Sequence, residues 1–137
     1  MRTREQLYDF IRQQEALYVA SVDEDGFPNI KAMFVPRRIE KDSIYLSTNT
    51  SSLRARQYMK NPKASVYIVQ GGEGIMLIGS MEVLQDAESK RSIWRDEDVM
   101  YYREGVDDPD YCVFRFTAQK GRRYCAGKSE DFLMAEL

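Results

Sequence analysis

Apolar residues recur along this chain in two rhythms, and each change of rhythm marks an element. Thr3-Arg4-Glu5-Gln6 has the form of a capping box, and Leu7, Phe10 and Ile11 follow on one helical stripe. The pattern predicts a first helix from about Arg4 to Gln14. Ala16 to Val22 is a short apolar run closed by Asp23-Glu24-Asp25-Gly26. That composition makes a hairpin turn, with Asp23 and Asp25 as turn formers rather than an acid–base pair. Pro28 opens a second strand, about Asn29 to Pro36, where a missing N–H costs no ladder bond. Arg37 to Asp42 reads as a charged turn into a third strand, Ser43 to Thr48. Its Arg37, Arg38 and Lys41 are expected to form a solvated tip, the alternative being a rim that attracts an anionic substrate.

Helical spacing resumes from Leu53 to Met59 and stops at Asn61-Pro62. Ala64 to Gln70 and Ile75 to Leu84 read as strands on either side of a Gly71-Gly72-Glu73-Gly74 turn, and Asp86 to Trp94 as a further surface helix. Arg95 to Pro109 is charged and irregular, anchored by a short helical Val99-Met100-Tyr101-Tyr102. Tyr111 to Thr117 and Lys120 to Ala126 read as two strands paired across a short turn. Gly79, inside an apolar strand, is expected at a bulge or a tight packing point. Trp94, Tyr101 and Tyr102 are expected in the core or at a dimer interface. The expected fold is mainly β (α+β), an antiparallel sheet of about six or seven strands closing toward a barrel with peripheral helices. Residues 1–137 are expected to form a single domain.

Composition narrows the functions open to such a fold. With 43% hydrophobic and 12% aromatic residues the chain is ordinary globular material. Twenty basic against 22 acidic residues leave a net charge of -2, so no general attraction for nucleic acid or an anionic membrane is expected. No apolar run reaches the length of a membrane span, and Met1 to Gln6 is polar where a signal peptide needs an apolar core, so a cytoplasmic location is expected. The two cysteines, Cys112 and Cys125, lie in separate apolar segments and are expected to be buried and reduced. The chain has no histidine, which removes Ser-His-Asp and Cys-His catalysis and histidine-ligated metal or haem. No metal site is expected. Enzymatic chemistry, if present, belongs to a cofactor.

The segment Ser43 to Pro62 carries the candidate chemistry. A strand delivers the chain to Thr48-Asn49-Thr50-Ser51-Ser52, whose hydroxyls and amides face a helix start bearing Arg54. The amides of a first helical turn, the positive end of its dipole, the Ser52 side chain and the Arg54 guanidinium can converge on one dianion. The same residues also read as an ordinary Ser-capped helix with solvated arginines.

Three stretches carry a family resemblance: ALYVASVDEDGFPNIKAMFV, IYLSTNTSSLRARQYMKNPKASVYIV and IMLIGSMEVLQD. In this order and spacing they resemble the FMN-binding split-barrel family typified by pyridoxamine 5'-phosphate oxidase and the general-stress-protein group of small flavoproteins. The resemblance spans Ala16 to Asp86. It implies a homodimeric split barrel, with FMN held noncovalently at the dimer interface. It places Lys31, Ser52 and Arg54 on the FMN phosphate, with Ser51 beside them in the turn. The backbone of Ala32, Met33 and Phe34, with Ser47 and Thr48, lies along the ring edge. Ile75, Met76, Leu77 and Ile78 are expected to be partly covered within one chain and buried against its twin.

The departures from the family are as informative. Lys31 stands where the family often has arginine, Arg54 where it often has lysine, and Leu53 at a neighbouring basic position. Pro36 replaces the lysine that helps hold the oxidase's substrate, and the C-terminal arginine-histidine pair is absent. Gly74 stands where the family's partner subunit offers a glutamine. The resemblance therefore implies an FMN-dependent oxidoreductase acting on a small molecule other than pyridoxamine phosphate. The alternatives are a non-catalytic flavin-binding or stress-response module, and a relative using a deazaflavin or haem.

Overall fold

The capping box forms as the sequence predicts. In the computed structural model, which describes residues 2–137, Thr3 Oγ1 accepts from the Gln6 amide at 3.2 Å. The Gln6 side chain accepts in return from the Thr3 amide at 2.9 Å. These bonds start α1 (Arg4–Arg12), which buries Leu7, Tyr8, Phe10 and Ile11 on the core. The hairpin β1 (Ala16–Val22) and β2 (Pro28–Phe34) closes where expected. Asp23 Oδ1 accepts from the amides of Asp25 and Phe27, which fixes the turn. The remaining strands are β3 (Arg38–Glu40), β4 (Ser43–Asn49), β5 (Lys63–Gln70), β6 (Glu73–Leu84), β7 (Tyr111–Cys125) and β8 (Lys128–Leu133). Helices α2 (Leu53–Lys60) and α3 (Ala87–Ile93) complete the set with short 3-10 turns.

The strands join one eight-stranded sheet in the order β2-β1-β5-β6-β7-β4-β3, with β8 added to β7. Every pairing is antiparallel. The sheet curls into a split barrel around Leu17, Val19, Leu46, Val66, Ile68, Ile75, Leu77, Phe114 and Phe116, with α1 packed on the same core. No helix of the described residues is long and apolar enough to cross a membrane.

Three strand assignments differ from the sequence pattern. The charged turn after Pro36 contains β3, which pairs with β4 through three residues. Lys128–Leu133 forms β8, whose single buried residue, Phe132, gives little alternation to read. The two strands expected at Tyr111–Thr117 and Lys120–Ala126 are one continuous strand, β7, of 15 residues. What resembles a turn there is a bulge: Gly79 pairs with Ala118 and Ile78 with Lys120, so Gln119 is the extra residue. Gly79 has to be glycine at this point, because a Cβ would lie 1.9 Å from the Thr117 carbonyl oxygen.

Burial also corrects several expectations about the surface. Ile75 and Leu77 are fully buried within the chain, and only Met76 and Ile78 remain half-covered, as the period of a strand requires. Cys112 is buried as expected, whereas Cys125 is half-exposed. Arg37 is no solvated tip. It forks onto the buried Asp98, with Nη2 2.6 Å from Oδ1, and also reaches the Ile93 carbonyl at 3.1 Å. Arg38 lies over the Tyr45 ring at 4.2 Å. Burial opposes the Asp98 charge, yet the Arg37 fork and the Arg95 amide hold its carboxyl below the usual range. Beside this pair Trp94 and Tyr102 pack on Tyr111, with ring centroids 5.0 and 4.9 Å away, forming a second small core. Tyr101 stays exposed.

Two expected outcomes test this architecture. Gly79→Ala should cost about 1–3 kcal/mol in urea unfolding, because the methyl group meets backbone that cannot rotate away. Glu73 accepts from Arg2 and Arg123, and these bonds, Arg2 first, pull its carboxyl from 4.5 down to about 2. A depressed carboxylate stabilises above its unfolded value and loses that contribution as pH falls through its folded one. Glu73→Gln should therefore lower Tm at neutral pH, and the gap to the parent should close between about pH 4.5 and pH 2 in a thermal melt series.

Candidate functional site

β4 delivers the chain to the turn, and Ser52 starts α2 by accepting from the Ala55 amide at 3.1 Å. Its hydroxyl is therefore engaged as the helix cap. The next amides, those of Leu53 and Arg54, have no intrahelical acceptor, as the first turn of any helix requires. A polar network seats the helix on the first hairpin. Gln57 accepts from the Ser21 hydroxyl and donates to Asn29 Oδ1 at 2.9 Å, and the Tyr58 hydroxyl donates to the Ala20 carbonyl at 2.9 Å. Lys60, at the far end, pairs with Glu24 of the turn.

These contacts set the direction of α2 along β2. Lys60 stands by Glu24 and Gln57 by Asn29, so α2 runs back along β2, with Arg54 one helical turn before Gln57 and Lys31 one strand repeat beyond Asn29. Lys31 is exposed and shares a face of β2 with Asn29 and the buried Met33. Ala32 and Phe34 point to the opposite face and are exposed. Because β2 ends the sheet, its outward N–H and C=O groups are unpaired, which suits recognition by backbone.

Arg54 is the electrostatic centre of the site. Its Nη2 lies 3.5 Å from Thr48 Oγ1, and its Nε is buried with no hydrogen-bond partner. Among the described residues no carboxylate pairs with it, and burial pulls its pKa down. An unpaired, partly buried cation calls for an anion. Thr50 Oγ1 and Ser47 Oγ are likewise buried without a hydrogen bond. Thr48 and Ser47 project from opposite faces of β4, so the structure does not bring their side chains together. The Ser51 amide is taken by Asp110 Oδ1 at 2.8 Å. Arg56 leaves the Arg54 side and lines a cavity of about 730 Å³ with Asp23, Asn29 and Lys60.

Gln57 and Asp110 were not among the residues expected from the sequence. Gln57 was detectable as a polar residue on the buried stripe of Ala55 and Tyr58. Asp110 gave no local signal, since its partners lie far back in the chain. Gly74 has a packing reason: a Cβ there would lie 1.9 Å from the Tyr67 hydroxyl, which fills the space. Burial drives the Cys112 thiol up to about 11, so it stays protonated and unreactive beneath the turn.

A family model described as pyridoxamine 5'-phosphate oxidase matches residues 3–125. Among solved structures, a protein of Clostridium acetobutylicum related to general stress protein 26, of the pyridoxinephosphate oxidase family, is 35% identical. It superposes with a TM-score of 0.84 over 96% of this chain and 94% of that one. General stress protein 26 of Bacillus anthracis shares the fold at 18% identity, with a TM-score of 0.75 over 94% and 96% of the two chains. A heme binding protein of Mycobacterium smegmatis shares it at 17% identity, with a TM-score of 0.73 over 92% of this chain and 55% of that one. Among curated proteins no sequence matches. A match running from the first helix to the end of β7, on a split-barrel fold, makes this chain a member of the pyridoxamine 5'-phosphate oxidase family.

Proposed function

We propose that this protein binds FMN noncovalently and works as an oxidoreductase on a small molecule, with two equivalent sites in a homodimer. The observation that carries the reading is the buried Arg54 Nε in the first turn of α2, which has no partner, together with the unpartnered Thr50 hydroxyl in the turn that leads into the helix. These are donors that a phosphate monoester satisfies, and Lys31 adds a second cation from β2. The residues present therefore fit the cofactor. When bound, FMN supplies the electron or hydride transfer, and the chain supplies anchorage and surroundings. Arg54 neutralises the phosphate from the first turn of α2. The free edge of β2 at Ala32, Met33 and Phe34 offers backbone groups to the ring edge, and Thr48 closes the site from β4. The alternative, a binding module without turnover, shares this anchorage and differs only in what reaches the ring. A haem reading has less support, because the chain has no histidine and the haem-binding neighbour shares only the fold.

The dimer reading is supported by the outer face of the first hairpin. Phe34 is 86%, Ile30 74% and Phe27 67% exposed on an edge strand or its turn. Apolar surface of this kind beside open backbone groups suits a second copy related by a two-fold axis. Sedimentation with FMN present should give a dimer at micromolar concentration, and a monomer would remove this part of the reading.

The purified protein should shift the visible bands of added FMN, and a protein indifferent to FMN ends the proposal. Arg54→Ala should weaken FMN binding roughly 10- to 150-fold, the value of about 1.5–3 kcal/mol for a hydrogen bond to a charged group. Riboflavin, which lacks the phosphate, should bind that variant and the parent alike, and Arg56→Ala should lose little. Equal FMN affinity in Arg54→Ala and the parent would move the phosphate elsewhere. Pyridoxamine phosphate should turn over slowly or not at all, since Pro36 is buried and no histidine follows. Rapid formation of pyridoxal phosphate would show that other residues hold that substrate.

A further inference from the structure

Asp110 stands directly before β7 and reaches back to the turn between β4 and α2. Its carbonyl oxygen accepts from the Thr50 amide at 2.7 Å, its Oδ1 from the Ser51 amide at 2.8 Å and its Oδ2 from Asn49 Nδ2 at 3.1 Å. The oxygen of the Asn49 side chain accepts from the Tyr102 hydroxyl at 3.3 Å. Asp110 is itself braced, its amide donating to Asp108 Oδ1 at 2.9 Å, while the Asp108 carbonyl accepts from the buried Lys90 at 2.8 Å. Three successive residues, Asn49 at the end of β4 and Thr50 and Ser51 of the turn, thus hang on one aspartate, Asn49 and Ser51 through its carboxylate and Thr50 through its backbone carbonyl.

A carboxylate is an unexpected occupant for a turn suited to anions. It takes amide donors that a phosphate would otherwise use, and its charge opposes a dianion nearby. What it contributes is shape. The Thr50 and Ser52 amides have backbone acceptors, in Asp110 and Asn49, but without the Asp110 carboxylate the Ser51 amide and the Asn49 side chain would be free to reorient in water. Bonds from Ser51 hold the Asp110 carboxyl below the usual carboxylate range, so it is charged at neutral pH.

We infer that Asp110 is a positioning residue for the phosphate contact, setting the turn so that Thr50 Oγ1 and Arg54 Nε stay available to one anion and confining that anion to the first turn of α2. The inference rests on the flavin reading above. Asp110 touches no cofactor in this role and acts through Asn49, Thr50 and Ser51. The bond geometry, rather than the charge, is what matters. Asp110→Asn keeps an oxygen for Ser51, and the Asn49 amide can turn over to accept from the new NH2 while donating to the Tyr102 hydroxyl.

The test titrates the full chain, Asp110→Ala and Asp110→Asn with FMN and with riboflavin, and follows Thr50 and Ser51 amide exchange by NMR without flavin. Asp110→Ala should bind FMN about tenfold more weakly or worse, bind riboflavin within about threefold of the parent, and exchange the Ser51 amide faster, while the Thr50 amide keeps the backbone carbonyl of residue 110 as its acceptor. Asp110→Asn should recover FMN affinity to within about threefold of the parent. Unchanged FMN affinity in Asp110→Ala, an equal loss of FMN and riboflavin, or no recovery in Asp110→Asn overturns the inference. A parent that binds neither flavin overturns the flavin reading itself and this inference with it, an outcome visible before any variant is compared. If Asp110→Ala does not fold, Asn49→Ala removes one arm of the same network and should show the same selective loss of FMN, with no selective loss overturning the inference.

Discussion

Everything in this molecule depends on β7 being paired along both edges. On one side β6 accompanies it from Leu84 to Glu73, and on the other β4 takes its first half and β8 its second. A strand this long coils, and a sheet built on it closes unless something flattens it. The bulge at Gln119 lets the closure happen, because it increases the local twist where pairing with β4 gives way to pairing with β8. The backbones approach so closely there that one residue on β6 can carry no side chain. Core side chains fill the space that this curvature encloses, and they would fill a flat sheet poorly.

The second requirement is electrostatic. Arg54 is partly buried, and taking a guanidinium out of water without a counter-charge is unfavourable. Most other buried or half-buried cations in the chain have an answer within it. Arg37 has Asp98, while Arg2 and Arg123 share Glu73. Arg54 has only the Thr48 hydroxyl, at the outer limit of a hydrogen bond. The contrast between these cations distinguishes structural charge from charge held ready for a ligand.

Much of this was legible in the sequence, and the failures have physical causes. Capping boxes, hairpin turns and alternating strands are local, so α1, β1, β2, β4, α2, β5 and β6 lie within a few residues of where the pattern puts them. The bulge in β7 looked like a turn because both interrupt alternation with a small residue followed by a polar one. β8 was missed because its neighbours bury only Phe132. At the site, Lys31 and Arg54 could be named from residue type and the family resemblance. The sequence could not show that the Ser51 amide was already occupied, since Asp110 lies 59 positions away in the chain. Arg37 was read as solvated for the same reason, its partner being 61 positions on.

The Asp23 turn has a consequence beyond joining two strands. In a strand, a displacement by one residue sends every side chain to the other face. On β2 that would bury Ala32 where Met33 belongs and turn Lys31 to the opposite face. The two amides held by Asp23 therefore set a phase, in the sense of a wave: they fix which member of each neighbouring pair is presented to the interior. An acidic residue that meets no ligand thus decides which charge the hairpin displays, and the chemistry available on β2 is specified several residues upstream of the strand itself.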